Sequence, residues 1–316
     1  MFEQIISKIE QYDSIVIFGH LNPDGDCYGS QIALKAILQT NYPNKKVYIA
    51  GSGLKNFYEL LGRPDNVSLE TIKSSLAVVV DSNDLDRLED QRVREARDFL
   101  KIDHHIDNFT FTEGPEVIDD KATSTSELIY DFAKECKLDI PSLAAEALYL
   151  GIYTDTARFQ YATNYPKMFE TVKELCLLGA EPKKLSTILN ISHERALIIK
   201  SFIYQNIKKD EDGILYLVVD NELRNSIRAT PVELTSCTSL LAHVEGYPIW
   251  FIASQNDRGG MQVEMRSNAY NVQKIAVAFG GGGHIYAAGF TINEFNDVVV
   301  NKLLTMCKNT IKGGKL

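Results

Sequence analysis

The stretch SIVIFGHLNPDGDCYGSQIALKAILQ, residues 14–39, decides the fold. It opens with a short apolar run, Ser14 to His20, that reads as a strand buried on both sides. A turn carrying Pro23 and Gly25 follows. The chain then enters SQIALKAILQ, whose apolar positions recur at helical spacing. A strand without polar alternation, followed at once by a helix, is the unit of a parallel sheet covered on both faces. Further apolar runs repeat the pattern at KVYIAG (46–51), LAVVVDS (76–82) and FLKIDHH (99–105). Helical patterns follow at 125–136 and 143–156. Residues 166–205 read as helical apart from a turn at 179–184, with a connecting helix near 185–205.

Beyond that point the period changes. ILYLVVD, PIWFIASQ and GMQVEMRS are strands with period-two character, interleaved with the helical stretches 232–244, 272–279 and 298–311. The expected fold class is therefore α/β. It comprises an N-terminal, mostly parallel-sheet domain with helices on both faces (1–185), a connecting helix or linker (186–205) and a smaller mixed α/β domain (206–316). The length of 316 residues also favours two domains, at roughly 100–200 residues each.

Composition excludes several classes. With 45% apolar and 24% charged residues the chain is neither collagenous nor disordered. No apolar run reaches the ~20 residues that span a bilayer, so no membrane partner is expected. The N-terminus lacks the basic start and apolar core of a signal peptide. The cysteines (27, 136, 176, 237 and 307) are odd in number and show no CxxC spacing. Reduced thiols in the cytoplasm and no cysteine-based zinc site are expected. The net charge of −9 is concentrated in residues 1–190, with 20 basic against 30 acidic residues; residues 191–316 hold 13 against 12. Such a chain is not expected to hold long nucleic acid by phosphate neutralisation.

Four polar clusters end apolar runs: His20-Leu-Asn-Pro-Asp24-Gly-Asp26, Asp81, Asp103-His104-His105, and Asp155. A lone Asp at such a place usually caps a helix or forms a turn, and Asp24 could cap the helix after it. Three clusters lie at strand ends, however, where ligands bind in open α/β sheets, and Asp155 can join them from a helix. Aspartates and histidines without cysteine suit Mn²⁺, Mg²⁺ or Co²⁺. Five carboxylates plus imidazoles exceed one four-coordinate zinc. They suit two ions about 3.5–4 Å apart that share a carboxylate. Pro23 and Gly25 let the chain turn so that Asp24 and Asp26 need not point apart.

In the second half, Gly280-Gly281-Gly282-Gly283-His284 either brings backbone amides close to a phosphate or simply ends a helix. It is not a P-loop, since no Gly-Lys-Ser/Thr follows. Arg266, after a strand, could hold a phosphate by bidentate contacts. His193 and His243 read as surface or structural residues and Trp250 as core. Tyr161 and Phe159 are more often packing than base-stacking residues.

Together these residues resemble the DHH phosphoesterase superfamily, in the branch with a C-terminal DHHA1 domain and of the nano-RNase/pAp-phosphatase type. The motifs are His20-to-Asp26, Asp81, Asp103-His104-His105, Asp155 and Gly281-to-His284, so the resemblance spans nearly the whole chain. It implies a Mn²⁺-dependent phosphodiesterase/phosphomonoesterase acting on short RNA, pApA or 3′-phosphoadenosine 5′-phosphate. It implies that His20, Asp24 and Asp81 hold one Mn²⁺, and that Asp26, Asp81, His104 and Asp155 hold a second, with Asp81 bridging. Mg²⁺ or Co²⁺ could replace Mn²⁺. His105 would stabilise charge or protonate the leaving oxygen, and Asp103 would orient the histidines. Arg266, His284 and the backbone of Gly281, Gly282 and Gly283 would hold the far end of the substrate. Ala157 stands where many relatives carry glycine. A homodimer is compatible with the resemblance. The alternatives are a pyrophosphatase/exopolyphosphatase-type phosphoanhydride hydrolase and a non-catalytic nucleotide-binding module.

Overall fold

The computed structural model describes residues 2–105, 114–191 and 193–314. It divides into two compact units, Met1–Ile191 and Ser192–Leu316.

The first unit is built on five parallel strands: β1 (Ser14–Phe18), β2 (Lys46–Ile49), β3 (Leu76–Val80), β4 (Asp98–Asp103) and β5 (Glu116–Ile118). Their order is β2-β1-β3-β4-β5. The apolar runs predicted from the sequence bury both of their faces. Ile15, Ile17, Val78, Val80, Leu100 and Ile102 face one core, and Val16, Phe18, Ala77 and Val79 face the other. Long helices cover the first face, including Gly25–Asn41, Thr125–Glu135 and Ser142–Asp155. The second has a thinner cover: the helix Leu69–Ser74 and short 3₁₀ turns that supply Leu88 and Val93.

In this order the chain leaves β1 for one neighbour and later returns to the opposite side of β1 as β3. The crevice beyond the carboxyl ends of β1 and β3 is thus a topological switch point, where open α/β sheets bind ligands. His20 follows β1 and Asp81 follows β3.

The stretch 166–205 forms three helices, Tyr165–Leu177, Pro182–Asn190 and Glu194–Asn206. Pro182 opens the second, where its missing N–H does no harm. The segment expected near 185–205 as one connecting helix is broken after Asn190, and His193 precedes the next helix. Asn and His are weak helix formers, and two so close together favour an interruption.

The second unit holds a six-stranded sheet in the order β10-β11-β9-β8-β7-β6. Its strands are β6 (Lys208–Asp210), β7 (Ile214–Val219), β8 (Ile249–Gln255), β9 (Met261–Ser267), β10 (Gly282–His284) and β11 (Ala287–Ile292). Only the β7–β8 pair is parallel. Helices Gln273–Ala278 and Asp297–Lys312 cover the face of Met261, Val263 and Met265. Helix Glu194–Asn206 covers Leu215, Leu217 and Trp250 on the other. Among the described residues no helix is long and apolar enough to cross a membrane.

The helix Gly25–Asn41 lies against Ser142–Asp155 at close range. A Cβ on Gly29 would collide with the carbonyl oxygen of Ala147 and come within 3.1 Å of the amide nitrogen of Gly151. Alanine would gain about 1 kcal/mol in helix propensity, but backbone atoms of a packed helix cannot yield as a side chain does. Gly29→Ala is therefore expected to destabilise the protein by a net ~1–3 kcal/mol. Denaturant unfolding measures this, and a midpoint equal to or above wild type would contradict it.

Candidate active site

The switch point collects every one of the four polar clusters. Asp24 caps the helix Gly25–Asn41: its Oδ1 accepts from the N–H groups of Asp26 and Cys27, both at 3.0 Å. Its role as a cap and its place in the cluster coexist, because the same oxygen lies 3.8 Å from His20 Nε2. His20 Nδ1 is 3.0 Å from the carbonyl of Leu21. A carbonyl only accepts, so Nδ1 donates its proton to the backbone and Nε2 faces the carboxylates.

Asp26, buried at 1% exposure, is clamped by the start of the helix Thr125–Glu135. The Thr125 N–H donates to its Oδ2 (2.7 Å) and the Ser126 N–H to its Oδ1 (2.9 Å). Helix N-termini favour anions at this place. The Thr125 hydroxyl donates to Asp81 Oδ1 at 2.9 Å. Asp81 is itself 2% exposed. Its backbone is left-handed, with φ 57°, a conformation that costs a non-glycine residue about 1–3 kcal/mol and is common at functional sites.

Asp81 divides its oxygens. Oδ2 lies 3.6 Å from His20 Nε2, whereas Oδ1 lies 3.7 Å from both His104 Nε2 and His105 Nδ1. His104 Nε2 is also 3.5 Å from Asp155 Oδ2 and 3.9 Å from Asp26 Oδ2. These separations exceed hydrogen bonds. The groups therefore face two common points, one beside His20 and one beside His104, with Asp81 between them.

Asp155 is the last residue of its helix. The chain then turns through three consecutive left-handed residues, Ala157, Arg158 and Phe159. Glycine at 157 would adopt this backbone more readily. The buried Thr156 holds the turn, its hydroxyl donating to the Ile152 carbonyl (2.6 Å) and accepting from the Phe159 N–H (2.9 Å). Phe159 packs edge-on against Tyr149 and Tyr153, whereas Tyr161 is exposed.

Behind the cluster, Asp103 Oδ1 is 2.8 Å from His105 Nδ1 and accepts the His105 N–H. Lys101, fully buried beside it, lies 3.5 Å from Asp103 Oδ2. Among the described residues His105 Nε2 has no hydrogen-bond partner, and this ring is the most exposed of the three in the cluster.

The electrostatics follow from the crowding. Burial, then the charges of Asp81 and Asp155, push the Asp26 carboxyl well above its usual range. Burial raises Asp155 to about 6, with Asp81 and Asp24 adding and His104 opposing. At His105 the ring N–H donated to the Asp103 carboxylate raises the imidazole, outweighing burial. Burial would raise Asp103, but His105 and Lys101 hold it below its usual value. Repulsion among converging carboxylates is relieved by a divalent cation. Three sets of donor atoms each lie within 4.8 Å of one another: His20, Cys27 and Asp81; Asp81, His104 and His105; Asp26, His104 and Asp155. This donor set fits metal.

The sequence did not single out Thr125, Ser126 or Cys27. The first two had a local signal: Ser124 accepts from the Glu127 N–H (3.0 Å) in a Ser-x-x-Glu helix start. Its link to Asp26 is long-range.

In the second unit, His284 pairs with Ala287, and Ala287 with Arg266, across three adjacent strands. Paired residues of antiparallel strands share a face. Arg266 and His284 therefore flank the small Ala287, their backbones about 10 Å apart. Arg266 Nη1 already donates to Glu264 Oε2 (3.0 Å) and the Met265 carbonyl (2.9 Å). The glycine run is part helix end, part edge strand. The Gly281 N–H donates to the Ala276 carbonyl (2.9 Å), closing the preceding helix, and Gly283 pairs with Ala288. A Cβ on Gly282 would meet open space.

Residues 14–152 match the DHH family, N-terminal domain, and residues 211–313 the DHHA1 domain. The chain is 32% identical to the bifunctional oligoribonuclease and PAP phosphatase NrnA of Mycoplasma pneumoniae, covering 94% of this chain and 93% of that protein. It is 30% identical to the Bacillus subtilis protein of the same name, covering 98% and 99%. A solved exopolyphosphatase-related protein from Bacteroides fragilis has the same fold, with TM-score 0.87 and 21% identity over 98% of this chain and 97% of that one.

The raised carboxyls make the stability of the metal-free protein depend on pH. A carboxyl with a higher pKa folded than unfolded favours the fold most while protonated. Stability then falls as pH rises from about 4, the unfolded value, toward about 6 for Asp155, and further for Asp26. Divalent metal competes with those protons. Saturating Mn²⁺ is expected to raise Tm by about 5–10 °C near pH 7.5 and much less near pH 5. Thermal unfolding with and without chelator measures this, and a shift of equal size at both pH values would contradict it.

Proposed function

Because the chain belongs to the DHH phosphoesterase family with a DHHA1 domain, of the oligoribonuclease and PAP phosphatase type, we propose that it hydrolyses short oligoribonucleotides and 3′-phosphoadenosine 5′-phosphate with two Mn²⁺ ions. It is a hydrolase of phosphoester bonds. The observation that carries the two-ion reading is Asp81, which turns one oxygen toward His20 and the other toward His104. His20, Asp24 and Asp81 would hold one ion, and Asp26, Asp81, His104 and Asp155 the other. When bound, such ions acidify water and neutralise phosphoryl charge.

The remaining work falls to side chains. Asp103 fixes the His105 ring and favours its protonated form, from which Nε2 would pass a proton to the leaving oxygen as the phosphorus–oxygen bond breaks. Such general-acid help is worth about 10²–10⁴-fold. The amides of Thr125 and Ser126 and the Thr125 hydroxyl hold Asp26 and Asp81 in place, so ligand positions do not depend on mobile side chains. Arg266 and His284 would bind a substrate phosphate in the second unit. Release of Arg266 from Glu264 would accompany that contact.

The test is hydrolysis in Mn²⁺ of 3′-phosphoadenosine 5′-phosphate, pApA, an RNA pentamer, a long RNA and pyrophosphate, with chelator as control. Turnover of the short nucleotides, abolished by chelator, is the expected result. Turnover of pyrophosphate alone would contradict the reading. Asp81→Asn should lower kcat by at least about a thousandfold, and activity within tenfold of wild type would exclude bridging. Arg266→Gln loses a charge-assisted contact, so KM should rise about tenfold with kcat within about threefold. An unchanged KM would remove Arg266 from the binding surface.

A further inference from the structure

Cys27 occupies a position that the proposed ligand set leaves unexplained. It follows Asp26 in the first turn of the helix Gly25–Asn41 and is fully buried. Its sulfur, a ring nitrogen of His20 and a carboxylate oxygen of Asp81 all lie within 4.8 Å of one another. Gly19 permits this approach, because a Cβ there would collide with Cys27 Sγ. The other buried cysteine, Cys307, lies in the apolar core of the second unit among Leu303 and Met265. Packing alone accounts for Cys307. It does not account for a thiol directed at an imidazole and a buried carboxylate.

We propose that Cys27 Sγ is a ligand of the ion held by His20 and Asp81, giving that position a preference for thiophilic ions such as Zn²⁺ or Co²⁺. The inference rests on the metal reading above. A sulfur–metal bond forms and the thiol proton leaves to solvent, with no change of oxidation state. Sulfur softens one position only. The other, from Asp26, Asp81, His104 and Asp155, is oxygen-rich and suits Mn²⁺ or Mg²⁺. The two positions of one site therefore differ in metal choice, and a mixed pair is the favoured occupancy when both kinds of ion are present.

The experiment is a Co²⁺ titration of the metal-free protein and of its Cys27→Ser variant, read by absorption. Visible d–d bands report Co²⁺ in the site, and a near-ultraviolet sulfur-to-cobalt band reports thiolate ligation. The expected result is both features in wild type, with Cys27→Ser keeping the visible bands and losing the near-ultraviolet one. Visible bands without the near-ultraviolet band in wild type would overturn the role of Cys27 and leave the metal site standing. A near-ultraviolet band that survives in Cys27→Ser belongs to another cysteine and also overturns it. Absence of both features in wild type would overturn the metal site together with the inference. Zn²⁺ affinity should fall about tenfold or more in Cys27→Ser, the scale on which altered metal surroundings act, while Mn²⁺ affinity stays within about threefold.

Discussion

The first unit is organised around a repulsion. Asp24, Asp26, Asp81 and Asp155 converge on one crevice, two of them out of water. An isolated carboxylate pair at such range resists ionising together. The fold nevertheless fixes these groups by hydrogen bonds to backbone amides and a threonine hydroxyl. The imidazoles of His20, His104 and His105 stand within 4 Å of these carboxylates, and a bound cation would balance the charge they leave. A site held in an electrostatically unfavourable arrangement is pre-organised for a cation.

The scaffold makes that arrangement affordable by keeping its supports rigid. β1 and β3 are buried on both faces, so the residues after them cannot drift. The Gly25–Asn41 and Ser142–Asp155 helices meet closely enough that Gly29 has no room for a side chain. Asp26 and Asp155, at opposite ends of these two helices, are thereby held at a fixed separation. The left-handed backbone of Asp81 aims a residue that would otherwise continue the strand direction.

Much of this was legible in the sequence, for local reasons. A polar residue directly after a buried apolar run marks a strand end, which identified His20, Asp81 and Asp103. Parallel strands put those ends on one side of the sheet. What was not legible depended on distant contacts. The clamp of Thr125 and Ser126 on Asp26 joins residues about a hundred positions apart. The break after Asn190 follows weak helix formers rather than apolar periodicity, and the strand at Gly282–His284 depends on pairing with a distant partner. The glycine run at 280–283 read either as a loop approaching a phosphate or as a helix end; part of its backbone closes a helix and part pairs with β11. Cys27 carries no local signal beyond redox compartment and the lack of CxxC spacing, because its approach to His20 requires the fold.

The central claim is that one carboxylate, Asp81, joins two ion positions. Electron paramagnetic resonance of the Mn²⁺-loaded protein, with metal content measured alongside, tests it most directly. The account predicts two ions per chain and an exchange-coupled spectrum, as expected for ions about 3.5–4 Å apart sharing a carboxylate. An uncoupled mononuclear Mn²⁺ spectrum at full occupancy would contradict it.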